Sequence, residues 1–462
     1  MAEQAIEPLA GAEPGVLASV RRRLIRGSSW VLIGRVVSMV LGILINALLA
    51  RLLSPAEFGG YFTSFTIVIV GSLIAQLGLD RAVVRLVSAS IGVGDPGQAR
   101  HAIERVLAIG AIGSLAVGAA VGMVGPWMGR HVYHSEIVAG VSLFTGGWLV
   151  ASAMQSLLVE TFRGLQRFDL ATLLDAVLLD VLWATAFAGL LVVGADVGLA
   201  AVIGISAATT AFMACVAGLL LVGRVRALRG EGRVPPRGVF DMAWPSLITN
   251  VASYFLSTGI DLLVLGAFRP QPEVALYGAA TRLVVLVATP LWILRGVLPP
   301  LIAELHAQGR RVELERTLRA GATLAGLPSL LILLVFVFFG RPVMGVLYGS
   351  FYRKGALVLV LLSLGRLVSV WAGSSGVTLI MTGHQKAMMA LTVVTGALSV
   401  AGEILLAPRF GGPGVATATT TMAVVQNLLQ VALAKRLVGV WTHIDLSPAN
   451  LRAFLTGRAR GA

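Results

Sequence analysis

The sequence predicts an all-α membrane protein with about twelve transmembrane helices, arranged as two pseudo-symmetric six-helix lobes around a central cavity. Of its 462 residues, 57% are hydrophobic and only 13% are charged, whereas a soluble domain is about one quarter charged. Apolar stretches long enough to cross a bilayer, about 20 residues each, recur along the chain. A faint internal repeat indicates that the two lobes are related copies.

The apolar stretches form two sets of six, separated by a basic connector that contains glycine and proline. Their approximate limits are 29–52, 58–79, 103–125, 137–159, 170–194, 197–223, 242–267, 274–298, 318–340, 356–380, 387–407 and 414–437. The chain is therefore divided into a disordered, basic N-terminal tail (1–26), an N-lobe (27–223), a linker (224–238), a C-lobe (239–438) and a C-terminal tail (439–462). The first stretch is too long for a signal peptide, so we expect it to be retained as a helix.

The distribution of basic residues predicts the orientation of the helices. With the N-terminus in the cytosol, connectors on that side hold 25 of the 36 Lys and Arg residues, opposite connectors hold 7, and 4 lie inside helices. Basic connectors stay on the cytosolic side during insertion, so both termini and the linker are expected in the cytosol. The 33 arginines against 3 lysines are typical of a GC-rich bacterial genome, and we expect the protein to lie in a bacterial plasma membrane.

An ungapped alignment of RLLSPAEFGGYFTS (51–64) with AFRPQPEVALYGAA (267–280) relates the two halves. It places Glu57 on Glu273 and Tyr61 on Tyr277, each pair at the start of an even-numbered helix. Six helices separate the copies, so the copies have the same orientation and their axis lies along the membrane normal. Transporters built from such repeats place the binding site between them.

Helix 1 has a polar stripe on an otherwise apolar surface. Its members are Arg35, Ser38, Gly42 and Asn46, whose spacing of three or four residues places them on one face. Helix 7 repeats the pattern with Ser246, Asn250, Ser253, Ser257 and Asp261. Lipid would leave such groups unsatisfied, so both stripes should face the bundle interior. Close helix packing explains serines and glycines, as it does the threonine-rich run near 417–422, but it does not explain Arg35 or Asn250.

Three arginines lie deep in the predicted helices. At 1.5 Å per residue, Arg35 is roughly 9 Å from the cytosolic edge, and Arg282 and Arg366 are roughly 12 to 15 Å from the outer edge. Arginine at the centre of a transmembrane helix costs about 2.5–3.5 kcal/mol and usually marks a substrate or ion path. We expect a headgroup-binding cavity lined by Arg35, Asn46, Asn250, Arg282 and Arg366.

Four acidic residues inside the helices are candidates for ion coupling or for structural ion pairs: Asp175, Asp180, Asp261 and Glu403. Asp261 and Arg282 have similar depths on adjacent helices, so a structural pair is as well supported as a functional role. Asp175 is an alternative partner for Arg35. Coupling to protons or sodium ions through any of the four stays open.

Several other functions are not supported. The net charge of +14 comes from arginines in short connectors, a distribution typical of membrane topology and not of nucleic-acid binding. His131, His134 and Glu136 share one external turn but lack a fourth ligand, so no metal site is expected. No cofactor is expected either. Cys215 is the single cysteine, so no intrachain disulfide forms.

Residues 27–438 resemble the polysaccharide transporter, or oligosaccharide flippase, family, whose superfamily also contains the multidrug and toxin extrusion transporters. The resemblance rests on the order and spacing of LARLLSPAEFGGY (49–61), GLDRAVVR (78–85), RGLQRFD (163–169), DLLVLG (261–266), VLYGSFY (346–352) and APRFGGPGVA (407–416). It implies two six-helix lobes around a cavity that opens to each side in turn. It also places Arg35 at the family's basic position in helix 1 and Asp261 at its acidic position in helix 7.

The resemblance implies a flippase that moves a polyprenyl-diphosphate-linked oligosaccharide to the outer leaflet for cell-surface polysaccharide biosynthesis. Expected partners are this substrate, membrane lipids, protons or sodium ions, and a glycan polymerase or glycosyltransferases. The first alternative is a cation-coupled exporter of the multidrug and toxin extrusion type, for which three deep arginines are unfavourable. The second is a membrane-embedded glycosyltransferase or polymerase, which needs larger external loops than this chain has. We therefore expect a transporter and not an enzyme.

Overall fold

The computed structural model describes residues 36–228, 260–295 and 298–445, together with the single positions 34, 243, 244, 247 and 254. In these ranges every regular element is a helix. Nine of the described helices are long and apolar enough to cross a membrane, and a shorter apolar helix, Val36–Leu52, precedes them. The all-α, multi-pass fold class predicted from the sequence is confirmed.

The described residues of the first half form eight helices. They are α1 (Val36–Leu52), α2 (Pro55–Ala75), α3 (Leu79–Gly92), α4 (Pro96–His131), α5 (Glu136–Gly140), α6 (Ser142–Gly164), α7 (Phe168–Val193) and α8 (Leu199–Ala227). Helix α7 includes a π-helical turn at Leu173–Val177. Because α8 continues to Ala227, it includes the first residues assigned to the 224–238 linker; most of the rest of that linker and the 1–26 tail lie outside the described residues.

The second half repeats this order. Its helices are α9 (Asp261–Phe268), α10 (Gln271–Arg295), α11 (Leu298–Ala307), α12 (Arg311–Tyr348), α13 (Ala356–Trp371), α14 (Ser375–Met381) and the long segment Gln385–Leu437. That segment is broken at Gly411, so we treat it as α15 (385–410) and α16 (412–437). A 3-10 turn at Ser350–Gly355 precedes α13.

The internal repeat is visible in the helix boundaries. Helices α2, α4, α6 and α7 begin at positions 55, 96, 142 and 168, and their counterparts α10, α12, α13 and α15 begin at positions 271, 311, 356 and 385. The separation between corresponding starts is therefore nearly constant. The two paired glutamates also make the same contact. Glu57 accepts a hydrogen bond from the Leu199 amide at the start of α8 (3.2 Å), and Glu273 accepts one from the Gly412 amide at the start of α16 (2.7 Å).

Some elements differ from the predicted apolar stretches. Helices α4 and α12 have 36 and 38 residues, because helical hydrogen bonding continues past the first charged residue whereas a hydropathy window stops there. Helices α3 and α11 are additional, and each buries one apolar face. The predicted helix 356–380 is divided at Gly373, which has a φ of 72°. The predicted connector between 407 and 414 is a turn at Gly411, whose φ of 58° favours glycine.

The halves contact each other where α2 and α10 begin. A side chain at Gly59 would collide with the main-chain carbonyl of Gln271, and a side chain at Gly278 would collide with the Phe62 ring. Thr63 donates a hydrogen bond to the Gln271 side chain (3.0 Å). The two helices therefore approach backbone to backbone at this end, which we call the Gln271 end of the bundle.

The segment that follows α16 packs against the second half. Residues 439–445, which the sequence assigns to the C-terminal tail, lie over the ends of α12 and α13. The Thr442 side chain is buried and donates a hydrogen bond to the Ala372 carbonyl (2.9 Å), and the Ile444 amide donates one to the Trp371 carbonyl (2.8 Å). Asp445 forms an ion pair with Arg319 (3.1 Å). We call residues 439–445 the C-terminal strap.

Candidate functional site

Two carboxylates are buried together in the second half. Asp261, at the start of α9, accepts hydrogen bonds from the hydroxyls of Tyr277 (2.6 Å) and Thr419 (3.2 Å). Glu403, on α15, lies within the same distance of the Thr419 hydroxyl (3.2 Å) and accepts a hydrogen bond from Ser399 (2.9 Å). The exposed fractions of Asp261 and Glu403 are 5% and 1%. One hydroxyl on α16 therefore lies between two carboxylates.

This carboxylate pair has fewer hydrogens available than its oxygens can accept. A threonine hydroxyl carries one hydrogen, so Thr419 can donate to Asp261, to Glu403 or to the Val415 carbonyl of its own helix (3.1 Å), but to only one of them at a time. The second carboxylate oxygen of Glu403, Oε2, is buried and has no hydrogen-bond partner in the described structure. Buried negative charge with unfilled acceptors favours the uptake of a cation or a proton.

Arg366, half-buried on α13, interacts electrostatically with Asp261 and offsets part of this charge. The structural ion pair between Asp261 and Arg282, one of the two alternatives that the sequence left open, is absent among the described residues, which include both members. The sequence argument placed the two residues at similar depth, but Asp261 faces Tyr277 and Thr419. Arg282 has a different environment.

Arg282 lies on α10 and contacts aromatic rings of the other half. Its guanidinium carbon is 4.9 Å from the ring centroid of Phe65 and 5.6 Å from that of Phe62, both on α2. These are cation–π distances. Its Nε atom is buried and has no hydrogen-bond partner in the described structure, which also contains no ion pair of Arg282 with a carboxylate.

The described part of the helix 1 stripe lies on α1. Asn46 is buried, its amide nitrogen donates to the Gly42 carbonyl (2.6 Å), and its side-chain oxygen has no described partner. A side chain built at Gly42 would meet nothing within 4 Å, so the stripe borders open space there. Arg35 and Asn250 lie outside the described residues, so their place in the cavity stays a prediction.

The two acidic residues of α7 have different surroundings. Asp175 forms an ion pair with Arg163 of α6 (2.6 Å), and Arg163 also contacts Glu160. The exposed fraction of the Asp175 side chain is 44%, and an ion pair this exposed contributes little to stability. Asp180 is half-buried and lies close to Ser38 of α1. The sequence argument did not identify Arg163 as a partner, because Asp175 is twelve residues away and on another helix.

Four residues of the site escaped the sequence argument. Tyr277 was noted only as a repeat partner of Tyr61, and Thr419 belongs to the run attributed to helix packing. Phe62 and Phe65 have no polar atom to distinguish them from other apolar residues. The one available signal was a threonine 16 residues after the candidate carboxylate Glu403; Asp261, 158 residues away, gave none.

No group of three or more His, Cys, Asp or Glu side chains in the described ranges could hold a metal ion. In the external turn considered above, Glu136 instead forms an ion pair with Arg130 (3.1 Å). The His131 ring lies 3.0 Å from the Trp127 carbonyl, a hydrogen-bonding distance.

The two-half helical bundle with a polar interior defines a multi-pass membrane transporter. Residues 24–306 match the family described as "Polysaccharide biosynthesis protein". This match covers more than half of the chain, and the chain belongs to that family. A probable low-salt glycan biosynthesis flippase of Haloferax volcanii, Agl15, is 21% identical over 208 residues, which cover 44% of this chain and 43% of the relative. The aligned part is thus less than half of that relative's length.

Solved structures share the fold. The inward-facing conformation of a multidrug resistance MATE family transporter has a TM-score of 0.74 at 13% identity, covering 87% of this chain and 94% of the other. The inward closed conformation of the lipid II flippase MurJ has a TM-score of 0.67 at 11% identity, covering 93% of each chain. The resemblance predicted from the sequence is confirmed, and the relatives are transporters and not enzymes.

Proposed function

We propose that the protein is a flippase that moves a polyprenyl-diphosphate-linked oligosaccharide from the cytosolic to the outer leaflet of a bacterial plasma membrane. Its family and the flippase among its relatives support this assignment. The observation that carries it is Arg282, a guanidinium group deep between the two halves whose buried Nε lacks a hydrogen-bond partner in the described structure. Such a group suits an anionic ligand.

The headgroup chemistry fits this site. A guanidinium group presents several N–H donors in a plane, which matches the oxygens of a diphosphate. Arg35, Asn46, Asn250 and Arg366 are the further residues we assign to the cavity. Moving two negative charges outward across 100 mV, inside negative, is favourable by about 4.6 kcal/mol. Membrane potential alone could therefore drive export of the headgroup.

The contact between the two halves at the Gln271 end bears on the direction of transport. With both termini in the cytosol, as the basic residues predict, the Gln271 end faces outward. The halves also touch at the other end of α2, where Gly78 lies against the Ala243 main chain. The substrate would enter from the cytosolic side when that contact opens while α2 and α10 remain in contact, and leave after these helices separate. Association with a glycan polymerase or with glycosyltransferases would supply and remove the substrate.

Cation coupling is a second part of the proposal. Asp261 and Glu403 share the Thr419 hydroxyl, and a proton or sodium ion bound between them would remove their mutual repulsion. Asp180 is the corresponding candidate in the first half. Asp175 is less suitable because Arg163 already neutralises it.

A cation-coupled drug exporter is the second candidate function. The buried Asp261 and Glu403 side chains favour it, since carboxylates suit organic cations. The fold alone does not separate the candidates, because both kinds of transporter share it. The charge of the transported headgroup does separate them.

The test is to replace Arg282 in cells that depend on this chain for export of their surface glycan. Arg282→Gln should reduce export at least tenfold and cause lipid-linked glycan to accumulate, while protein abundance stays near normal. Arg316→Gln is the matched control, since Arg316 is exposed on α12 of the same half. Normal export in Arg282→Gln, together with loss of cationic dye efflux in Asp261→Asn, would favour the drug exporter.

A further inference from the structure

The aromatic contact of Arg282 joins the two halves. Phe62 and Phe65 are one helical turn apart on α2, and both rings lie at cation–π distance from the guanidinium group on α10. Phe65 is itself held in place: its ring stacks on Tyr61 (5.9 Å between centroids, 19° between planes) and packs against Trp148 (5.7 Å). The ring that covers Arg282 thus has a fixed orientation.

This contact lies at the axis that relates the repeats. In the alignment that pairs Glu57 with Glu273, the counterpart of Phe62 is Gly278, and Phe62 packs directly against it. A residue that touches its own repeat counterpart lies on the symmetry axis. The counterpart of Arg282 is Thr66, whose hydroxyl is bonded to the Phe62 carbonyl (2.8 Å). At this pair of repeat positions only the second half supplies a cation, and only the first supplies the rings.

Rings and phosphate use different parts of a guanidinium group. An aromatic ring covers the flat face, whereas phosphate oxygens accept hydrogen bonds from the N–H groups at the edge. The Nε of Arg282 has no hydrogen-bond acceptor in the described structure. The rings therefore fix the plane of the group and leave hydrogen bonds to be made at its edge.

We propose that Phe62 and Phe65 are positioning residues that hold Arg282 ready for a diphosphate only while α2 and α10 are in contact. Because rings and cation belong to different halves, separation of the halves at the Gln271 end removes the rings from Arg282. The affinity of Arg282 for the headgroup is then lower in the state that is open at the Gln271 end, from which the substrate must leave. This inference rests on the proposed function and adds the residues that make headgroup affinity depend on conformation.

The test measures binding of geranyl diphosphate, a soluble prenyl diphosphate, to the purified full chain. Phe65→Leu fills most of the volume but has no π face, and it should weaken binding about 2- to 30-fold, the range expected for a cation–π contact. Phe65→Trp should bind as the natural protein does. Phe187→Leu is the matched control, because Phe187 is fully buried in the first half and the described cation–π contacts of Arg282 are with Phe62 and Phe65.

Fluorinated phenylalanines at position 65 separate electrostatics from packing. Each added fluorine weakens the negative face of the ring with little change in shape, so affinity should fall stepwise from phenylalanine to the pentafluoro form. A structural role for Phe65 predicts no such gradient. Equal affinity across the series would overturn the proposal even if Phe65→Leu proved unstable.

Spin labels test the dependence on conformation. Gly140→Cys and Lys354→Cys, in a Cys215→Ser background, place one label on each half at the Gln271 end, where both positions are exposed. Geranyl diphosphate should shift the label distances toward the closed population, since a ligand stabilises the state that binds it better. Unchanged distances at saturating ligand would contradict the inference.

Arg282→Gln distinguishes this inference from the function on which it rests. Loss of binding in Arg282→Gln with normal binding in Phe65→Leu contradicts the positioning role alone. Undiminished binding in Arg282→Gln contradicts both the positioning role and the headgroup site.

Discussion

At the scale of single residues, the Thr419 hydroxyl decides how the two buried carboxylates of the second half behave. It lies 3.2 Å from an oxygen of Asp261 and 3.2 Å from an oxygen of Glu403. Removing it leaves Glu403 with Ser399 as its remaining described hydrogen-bond donor. Asp261 keeps its hydrogen bond from Tyr277. Removal of the Thr419 hydroxyl therefore mainly breaks the hydrogen-bonded link between the two carboxylates.

Thr419→Val keeps the shape of the side chain and removes the shared donor. We expect transport to lose most of its dependence on sodium or on pH, at a stability cost of about 1–3 kcal/mol for the lost hydrogen bond to a buried carboxylate. Transport rates measured against sodium concentration and pH, with protein abundance alongside, check this. Thr417→Val is the control, because the exposed Thr417 hydroxyl bonds only within its own helix, to the Pro413 carbonyl. An unaltered ion dependence in Thr419→Val would remove the hydroxyl from the coupling site.

Sequence identified the charged residues of the site better than their partners. The depth of Arg282 follows from counting residues along one helix, which requires no knowledge of packing. Its neighbours Phe62 and Phe65 are distant along the chain and lie on a helix of the other half. Asp261 was paired with Arg282 by depth alone, but rotation about the helix axes directs Asp261 to Tyr277 and Thr419.

At the scale of helices, the paired glutamates hold corresponding helices in the two halves. Glu57 accepts from the first amide of α8, and Glu273 accepts from the first amide of α16. A carboxylate at a helix start satisfies an amide that lacks an intrahelical partner and interacts favourably with the helix dipole. The ungapped sequence alignment had paired these glutamates but could not show which helices they cap.

Glu273→Ala should therefore lower the free energy of unfolding by about 0.5–2 kcal/mol, the usual cost of losing a helix cap. Glu273→Gln retains a hydrogen-bond acceptor and should lose less stability than Glu273→Ala. The midpoint of thermal unfolding of the purified protein measures both. Glu304→Ala serves as control, because Glu304 is exposed on α11 and its described hydrogen bond is a surface contact with Gln308. Equal midpoints for Glu273→Ala and Glu304→Ala would contradict the capping role.

The C-terminal strap can be tested at two glycines with the same backbone conformation. Gly373 and Gly383 have φ angles of 72° and 84°, so alanine is strained at either position by roughly 1–2 kcal/mol. A side chain at Gly373 would also collide with the Thr442 carbonyl of the strap, whereas one at Gly383 meets nothing within 4 Å. Gly373→Ala should therefore lower the unfolding midpoint further than Gly383→Ala. Equal shifts of the unfolding midpoint would mean that the strap moves away from Gly373 without loss of stability, which would contradict this prediction.

The additional helices show why the sequence did not predict every helix. The buried face of α3 includes Leu79, Val83 and Val87, while Arg81 and Arg85 are exposed. Such a helix is too polar for a hydropathy window to detect. Gly373 interrupts an apolar stretch without changing its hydropathy, so its turn appears only in the backbone angles, whereas the sequence did place a connector around Gly411.

At the scale of the whole molecule, the two-half architecture follows from features that the sequence carries openly. Twelve apolar stretches, a basic central linker and the ungapped alignment of the halves predict two related lobes. The starts of corresponding helices keep a nearly constant separation along the chain, as that alignment requires. The asymmetry between the lobes determines the chemistry. The described buried carboxylate pair and Arg282 belong to the second half, while the rings that face Arg282 belong to the first.

The most direct test of the central claim is a flipping assay with the purified protein in vesicles. The probe is a fluorescent short-chain polyprenyl-diphosphate-linked disaccharide, and an impermeant quencher reports the fraction in the outer leaflet. The natural protein and Arg316→Gln should both accelerate exchange between leaflets, and Arg282→Gln should be at least tenfold slower. The same disaccharide linked to the polyprenyl chain without the diphosphate should not be accelerated. Equal acceleration of both lipids, or full activity of Arg282→Gln, would contradict the account.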